Sequence, residues 1–181
     1  MRKAPEAGFT LIELLIVVAV IGILAAVAVP GLLRARESGN EASAIGSLRA
    51  ITSGQHAYMS SCGNGYYASS LPILADPAPV GAAFISPDLG TAATIDKSGY
   101  RLAMAQGSEA VAATRNGCNP MGLAADLFTS YYATESPLAS GQTGARWFWT
   151  NTAGAIYAAP SSVFAAITNG NAAPGAGSPL Q

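Results

Sequence analysis

The sequence predicts an α+β fold, in which one long N-terminal helix packs on an antiparallel β-sheet of about four strands. Three observations support this fold class. The chain is almost purely apolar from Phe9 to Val29. Apolar residues then recur at spacings of three and four as far as Met59, the period of a helix with one buried face. Beyond Ser60, short apolar segments alternate with residues that favour turns, a pattern typical of strands.

The apolar run is 21 residues long. At about 1.5 Å per residue, a helix of that length reaches roughly 30 Å, the thickness of the hydrocarbon core of a bilayer. We therefore expect it to cross a membrane, and the preceding Arg2 and Lys3 favour a cytoplasmic N-terminus. Glu13 lies inside the run, where an ionised carboxylate costs about 2.5 to 3.5 kcal/mol. A carboxylate in this position indicates a function and a partner.

Two simpler interpretations compete with a functional Glu13. The first is an ordinary secretory signal, with the small residues from Ala25 to Ala28 as its cleavage site. The second is a glutamate that snorkels from a helix end into water. Against the first, the apolar run exceeds the roughly 7 to 15 residues of such a signal, which needs no carboxylate near its start.

The segment from Gly8 to Glu13 reads Gly-Phe-Thr-Leu-Ile-Glu. With its short basic leader and the long apolar helix that follows, it resembles the class III signal of type IV pilins and of the pseudopilins of type II secretion. The resemblance implies the pilin fold, with the apolar half of the helix protruding. It also implies that a prepilin peptidase cleaves between Gly8 and Phe9 and that Phe9 becomes N-methylphenylalanine. Glu13 then matches the glutamate of the family's motif.

A physical argument gives Glu13 a role in assembly. Cleavage would create a cationic amine on Phe9, four residues from Glu13 and at the same membrane depth. In low dielectric the two charges attract strongly, and each is costly if left alone. Their geometry within one helix is awkward, so we expect Glu13 to meet the Phe9 amine of a neighbouring subunit and to set the axial register of a filament.

This interpretation divides the chain into four parts. They are a cleaved leader (residues 1–8), a transmembrane or filament-core helix (9–30), the amphipathic half of the same helix (31–60), and a globular head with a loop region and a C-terminal antiparallel sheet (61–181). Pro30 and Gly31 lie where the first two helical parts meet. Because proline removes a backbone hydrogen bond, we expect a helix kink there.

Composition predicts four strands in the head: Tyr100–Ala105, Leu127–Ala133, Arg146–Thr150 and Ala155–Ala158. The last two flank Asn151–Gly154 and predict a hairpin. Trp147 and Trp149 share one strand face and Phe148 lies on the other, so one set is expected on the helix and the other outside or between subunits. The proline-rich stretch from Leu71 to Asp88 is expected to be an irregular loop.

Cys62 and Cys118 are the only cysteines. A head outside the cytoplasmic membrane lies where thiols are oxidised, so we expect them to form an intramolecular disulfide. This bond would tie the end of the helix to the sheet region and stabilise the head by about 2 to 4 kcal/mol. Heads of the resembled family more often carry their disulfide nearer the C-terminus, so the pairing departs from the family pattern.

Other functions find little support. Charged residues make up 10% of the chain and the net charge is −1, so no nucleic-acid partner is predicted. His56 is the single histidine, and without a metalloprotease, phosphate-loop or nucleophile-elbow motif we expect no enzyme and no cofactor. Scattered carboxylates could supply a calcium site like that of major pseudopilins, but no dense cluster favours a metal. They are Asp76, Asp88, Asp96 and Asp126.

Three functions remain. The preferred one is a structural subunit of a type IV pilus, polymerising through its apolar helix into an extracellular filament for adhesion or twitching motility. The second is a pseudopilin, whose periplasmic pseudopilus serves type II protein secretion, and the third is an anchored or secreted binding domain that does not polymerise. For the first, the partners are other copies of the chain, the prepilin peptidase, an inner-membrane assembly platform and a secretin. The subunit would lie in the bacterial inner membrane, with its head in the periplasm, before entering the pilus.

Overall fold

The computed structural model describes residues 8–79, 81–161 and 178–180. The chain divides into two compact units, residues 1–36 and 37–181. The long predicted helix is present as α1 (Leu11–Ser61), 51 residues in length, and it is continuous through Pro30. The bend at Pro30 and Gly31 stays a prediction.

The other elements follow in chain order. They are β1 (Tyr67–Ala68), α2 (Leu71–Ala75), β2 (Thr94–Lys97), β3 (Tyr100–Gln106), β4 (Leu127–Phe128), β5 (Tyr131–Pro137), β6 (Trp147–Asn151), β7 (Ile156–Ala159) and β8 (Ser178–Leu180). Two short 3-10 turns, Pro87–Leu89 and Ala124–Asp126, lie between them. The fold is α+β, as predicted, and it is consistent with the pilin fold.

Among the described residues the main sheet has six strands in the order β2-β3-β5-β6-β7-β8, and all neighbours are antiparallel. The predicted hairpin is confirmed, because β6 and β7 pair with Thr150 opposite Ile156. β2 and β8 are the additional strands at the two edges. β1 and β4 form a separate two-stranded sheet.

The predicted strand from Leu127 to Ala133 is two strands. Its first part pairs with β1, whereas Tyr131 begins β5 opposite Gln106 of β3. Between them, the backbone N–H of Thr129 donates to the Val111 carbonyl. Each part therefore pairs with a different strand. Amino-acid composition cannot show where a segment changes its pairing partner.

The expectation of an irregular loop from Leu71 to Asp88 is wrong at both ends, where α2 and a 3-10 turn form. Pro72 lies in the first turn of α2, where a missing N–H removes no helical hydrogen bond. The apolar side chains of α2 then gain burial, since Leu71 and Leu74 are fully buried.

The core of the second unit combines one side of α1 with one face of the main sheet. The helix residues that are buried are Ala44, Ser47, Leu48, Ile51, Gly54, Gln55 and Tyr58. Four of them, Ala44, Leu48, Ile51 and Tyr58, belong to one apolar cluster with Leu102, Met104 and Phe148 of the sheet. The predicted apolar side of the helix is thus confirmed near its centre, although its buried residues also include Ser47, Gly54 and Gln55, which have no apolar side chain.

Phe148 and Trp149 face opposite sides of the sheet, as the alternation predicted. Phe148 belongs to the cluster shared with α1, while Trp149 lies in a second cluster with Ala159, Tyr132 and Tyr157. The rings of Trp149 and Tyr157 stack at a centroid distance of 5.8 Å and an interplanar angle of 15°. Trp149 is fully buried there. The expectation that its side of the strand lies outside the head is therefore wrong for this residue.

Candidate functional site

At the start of α1, hydrogen bonds from the neighbouring Thr10 hold the Glu13 carboxylate. The backbone N–H of Thr10 donates to Glu13 Oε2 at 3.0 Å, and the Thr10 hydroxyl donates to the same oxygen at 2.6 Å. In return the backbone N–H of Glu13 donates to Thr10 Oγ1 at 3.3 Å. This reciprocal arrangement is a capping box, which satisfies N–H groups that the first turn of a helix leaves unpaired.

Thr10 is not among the site residues predicted from the sequence. A threonine followed three residues later by a glutamate, directly before an apolar helical run, is the known signature of a capping box. That signal was present in the sequence and would have identified Thr10 as a partner of Glu13. The carboxylate also lies at the N-terminal end of the helix, where the helix dipole favours negative charge.

The predicted processing position lies immediately before this box. Gly8 and Phe9 precede the helix, and neither has helical or strand structure. The Phe9 side chain is 85% exposed. Gly8, Phe9 and Glu13 therefore occupy one short exposed segment, and cleavage between the first two stays a prediction.

The part of α1 that follows is apolar on every side and exposed. All large apolar side chains from Leu11 to Leu33 are at least 50% exposed. Glu13 is the only charged residue between those two positions. By length and composition this helix can cross a membrane, and its most apolar stretch is not buried within the molecule. So large an apolar surface on a protein marks a contact with lipid or with other proteins.

Pro30 has no N–H to offer the carbonyl of Ala26, one turn earlier. Around Gly31 an added Cβ would meet nothing within 4 Å. The hydrogen bond missing at Pro30 is the physical basis for the predicted kink, whereas the open space at Gly31 has no bearing on it.

At the other end of α1, a disulfide joins Cys62 to Cys118, with an S–S distance of 2.05 Å and Cα atoms 4.8 Å apart. The neighbouring Asn119 is buried and bonds in three directions. Its Oδ1 accepts from the Tyr58 hydroxyl at 3.0 Å, and its Nδ2 donates to the carbonyls of Ile73 at 2.7 Å and Asp76 at 3.0 Å. The disulfide and Asn119 together fix the end of α1 to α2.

Two of the scattered carboxylates have cationic partners within the head. Asp88 pairs with Lys97 at 2.6 Å, and Asp96 pairs with Arg101 at 2.7 Å. Each cation donates a side-chain hydrogen bond to its carboxylate, which lowers the pKa of both carboxyls. In the described part of the chain, no group of three or more His, Cys, Asp or Glu residues is placed to hold a metal ion.

Glu135 is a second residue that the sequence analysis missed. It is 2% exposed and lies directly opposite Leu102 and Phe148, so it faces the apolar cluster. Burial raises the pKa of its carboxyl to about 8, while the positive charge of Lys97 acts in the opposite direction. The predicted strand ended at Ala133, two residues before Glu135. The alternation of side chains along that strand therefore gave no prediction of which way Glu135 faces.

Comparisons with known proteins identify the N-terminal segment. The family model of the prokaryotic N-terminal methylation motif matches residues 3–29. The chain is 45% identical over 53 residues to the type IV major pilin protein PilA of Myxococcus xanthus. The matched segment covers 29% of this chain and 24% of that protein. It is 63% identical over 41 residues to the type IV wide pilus major component PilA4 of Thermus thermophilus, covering 23% of this chain and 30% of that one.

The chain thus spans less than a third of the length of either relative. No solved structure matches the chain. The resemblance on which the sequence analysis depended is confirmed for the N-terminal region. Residues 3–29 match the prokaryotic N-terminal methylation motif, and in this region the chain is similar to two type IV major pilus proteins.

Proposed function

We propose that the chain is a structural subunit of a type IV pilus, which polymerises through the apolar part of α1 into an extracellular filament for adhesion or motility. The observation that carries the proposal is the combination of the methylation motif with a helix whose large apolar side chains are all at least half exposed from Leu11 to Leu33. Water is an unfavourable environment for such a surface. A bilayer before assembly, and neighbouring helices afterwards, would cover it.

Processing and assembly follow from the same segment. A prepilin peptidase would remove residues 1–8 and methylate Phe9, leaving a cationic amine at the start of the subunit. Glu13 of an incoming subunit would meet this amine of a subunit already in place. The partners are therefore further copies of this chain, the peptidase, an inner-membrane assembly platform and a secretin.

The four-part division serves this function. The leader is lost, residues 9–30 provide first the membrane anchor and then the filament core, residues 31–60 complete the helix, and residues 61–181 form the surface of the filament. Before assembly the N-terminus would be cytoplasmic and the head periplasmic. The break between the chain's two compact units falls after Arg36, inside residues 31–60.

A pseudopilin of type II secretion is the second candidate, because it shares the same signal and the same assembly chemistry. The names of both relatives, a type IV major pilin and a type IV wide pilus major component, favour the pilus. An anchored or secreted binding domain would instead be cleaved near Ala28 or keep its leader.

Mass spectrometry of fibres sheared from the surface of the native cells tests the proposal. We expect the chain in the fibres, beginning at Phe9 and carrying one added methyl group. Cells that lack the prepilin peptidase provide the control, in which the chain should keep Met1 and no fibres should contain it. Surface fibres without this chain, combined with a loss of protein export when its gene is deleted, would establish the pseudopilin instead.

A further inference from the structure

We propose that Arg34 and Arg36 bind the phosphate groups of phospholipids in the periplasmic leaflet of the inner membrane, at the point where the apolar part of α1 ends. The inference rests on the proposed function, because it takes this part of α1 to be inserted in a bilayer before assembly. Leu33 is 52% exposed, and Arg34 and Arg36 directly beyond it are exposed as well. Within the described residues neither arginine side chain makes a hydrogen bond or an ion pair.

The length of the apolar part brings the arginines to the headgroups. From Leu11 to Leu33 it has 23 helical residues, which span about 35 Å at about 1.5 Å per residue. The hydrocarbon core of a bilayer is about 30 Å thick, and the bilayer with its headgroups about 40 to 45 Å. With Leu11 at the cytoplasmic boundary of the core, the residues after Leu33 lie in the periplasmic headgroup layer. The sequence alone predicts residue 30 as the end of the membrane part, whereas the exposed Leu32 and Leu33 extend the apolar surface by about one turn.

The guanidinium group is well suited to this layer. It is planar, keeps its charge, and can donate two parallel hydrogen bonds to one phosphate. Its apolar stem can lie along the lipid while the charged end stays at the interface. Because positions two apart on a helix do not face each other, Arg34 and Arg36 each take a phosphate of their own. Glu37 is the next anion along the chain, so residues 34–37 keep a net charge of +1 and favour anionic lipids.

Membrane orientation gives no reason for these two charges. Cations next to a membrane helix favour the cytoplasmic side, and Arg2 and Lys3 of the leader supply that signal. On the periplasmic side Arg34 and Arg36 oppose it. A contact with phosphate gives them a role, because interfacial arginines help to set how a helix lies in the bilayer. The apolar part of α1 has no polar face to do so, and the two arginines fix the depth at which the subunit waits for assembly.

The full-length chain, labelled with carbon-13 at its arginines, tests the contact in vesicles of equal parts phosphatidylcholine and phosphatidylglycerol. Solid-state NMR measures the transfer of magnetisation between arginine Cζ and lipid phosphorus. Every sample carries Arg2→Gln, so that the leader does not contribute. We expect clear transfer in this background and the loss of most of it when Arg34→Gln and Arg36→Gln are added. Arg49→Gln removes an exposed arginine 13 residues beyond Arg36 and, as the matched control, should keep the signal.

The lipid that stays bound to the chain gives a second readout. After mild detergent extraction from the same vesicles, native mass spectrometry counts the phosphatidylglycerol and phosphatidylcholine retained by each chain. An arginine near an anionic surface is worth roughly a fivefold preference. The ratio of the two lipids should therefore fall roughly fivefold for each of Arg34→Gln and Arg36→Gln. Inorganic phosphate added in excess should leave the ratio unchanged, because the partner is the lipid.

Three results would overturn the inference. The first is an unchanged transfer signal and lipid ratio when both arginines are replaced. The second is an equal loss in Arg49→Gln, which would show that any exposed arginine of the chain contacts the vesicle. The third is transfer from Arg34 and Arg36 to carboxylates of separately labelled copies in place of lipid phosphorus, which would assign the arginines to a second copy of the chain.

The proposed function fails in a different way. A chain that inserts into the vesicles without a contact between arginine and phosphate overturns the lipid site alone, and the fibre experiment still decides whether the chain is a pilus subunit. A chain that does not insert at all would contradict both the membrane anchor and the lipid site.

Discussion

The two halves of α1 share one secondary structure and differ completely in what surrounds them. From Leu11 to Leu33 the large apolar side chains are exposed on all sides, whereas between Ala44 and Tyr58 one side of the helix is buried in the core. The first half carries no polar face. A helix that is apolar all round needs an apolar environment on every side, whereas an amphipathic helix needs only one surface, and here the main sheet supplies it.

One carboxylate in each half of α1 shows how far along the chain its hydrogen-bond partners lie. Glu13 finds its partner Thr10 three residues away in the same turn. Glu41 accepts from the Arg146 guanidinium at 2.9 and 2.7 Å and from the backbone N–H of Ala145, across more than 100 residues of chain. The apolar half is therefore organised locally, and the buried half is organised by tertiary contacts.

The largest expected effect comes from removing the charge in the apolar half. Glu13→Ala should leave cleavage after Gly8 intact and reduce the yield of fibres roughly a hundredfold or more, because it leaves the neighbour's amine without a counter-charge in low dielectric. Sheared fibres and membrane fractions are quantified by immunoblotting. Glu109→Ala, at an exposed position of the head, is the matched control. Normal fibre yield from Glu13→Ala would remove the assembly role.

A matched pair of leucines tests the contrast between the two halves directly. Leu48 is fully buried, whereas Leu24 is 64% exposed. We expect Leu48→Ala to lower the free energy of unfolding of the head by about 2 to 5 kcal/mol, since it leaves a cavity in the core. Leu24→Ala should change that energy by less than about 0.5 kcal/mol.

Denaturant unfolding of the detergent-solubilised full chain, followed by tryptophan fluorescence, measures both variants. Similar losses for the two would show that the apolar half is part of the folded core.

Glu135, on β5, makes the stability of the head depend on pH. The folded protein keeps this carboxyl protonated up to its pKa of about 8, whereas the unfolded chain releases the proton near the ordinary value of 4.5. The folded state thus holds more protons between these values, and stability must fall as the pH rises from about 5 to about 8, by at most about 1.4 kcal/mol per unit. Denaturant unfolding at several pH values measures the slope. Glu135→Gln should flatten it, and an unchanged slope in this variant would assign the dependence to another group.

Two helix glycines provide the smallest and most specific test. An added Cβ at Gly54 would lie 2.7 Å from Ile85 Cγ2 and 2.8 Å from the Phe84 carbonyl oxygen, whereas at Gly46 it would meet nothing within 4 Å. Gly54→Ala should therefore destabilise the head by about 1 to 3 kcal/mol through overpacking. Gly46→Ala should stabilise it by up to about 1 kcal/mol, the difference in helix propensity. Thermal unfolding of both variants checks the opposite signs.

Local patterns allowed much of this molecule to be predicted. The segment from Gly8 to Glu13 identified the methylation motif, and hydrophobic periodicity predicted a helix as far as residue 60, close to the observed end at Ser61. The hairpin of β6 and β7 could also be predicted, because its two strands and the short connection between them are adjacent in the chain. The capping box could have been predicted as well, because its two residues are three positions apart.

By itself, then, the sequence determined the motif, the membrane-length helix, the class of fold and the alternation of Phe148 and Trp149. The tertiary structure alone decided where the segment from Leu127 to Ala133 changes partners, why Gly54 has no room for a side chain, and that Glu135 is enclosed by the core. The physical reason is the range of the interactions. Helix periodicity, capping and turns involve neighbours along the chain, whereas strand pairing, close approach and desolvation depend on residues that only the folded chain brings together.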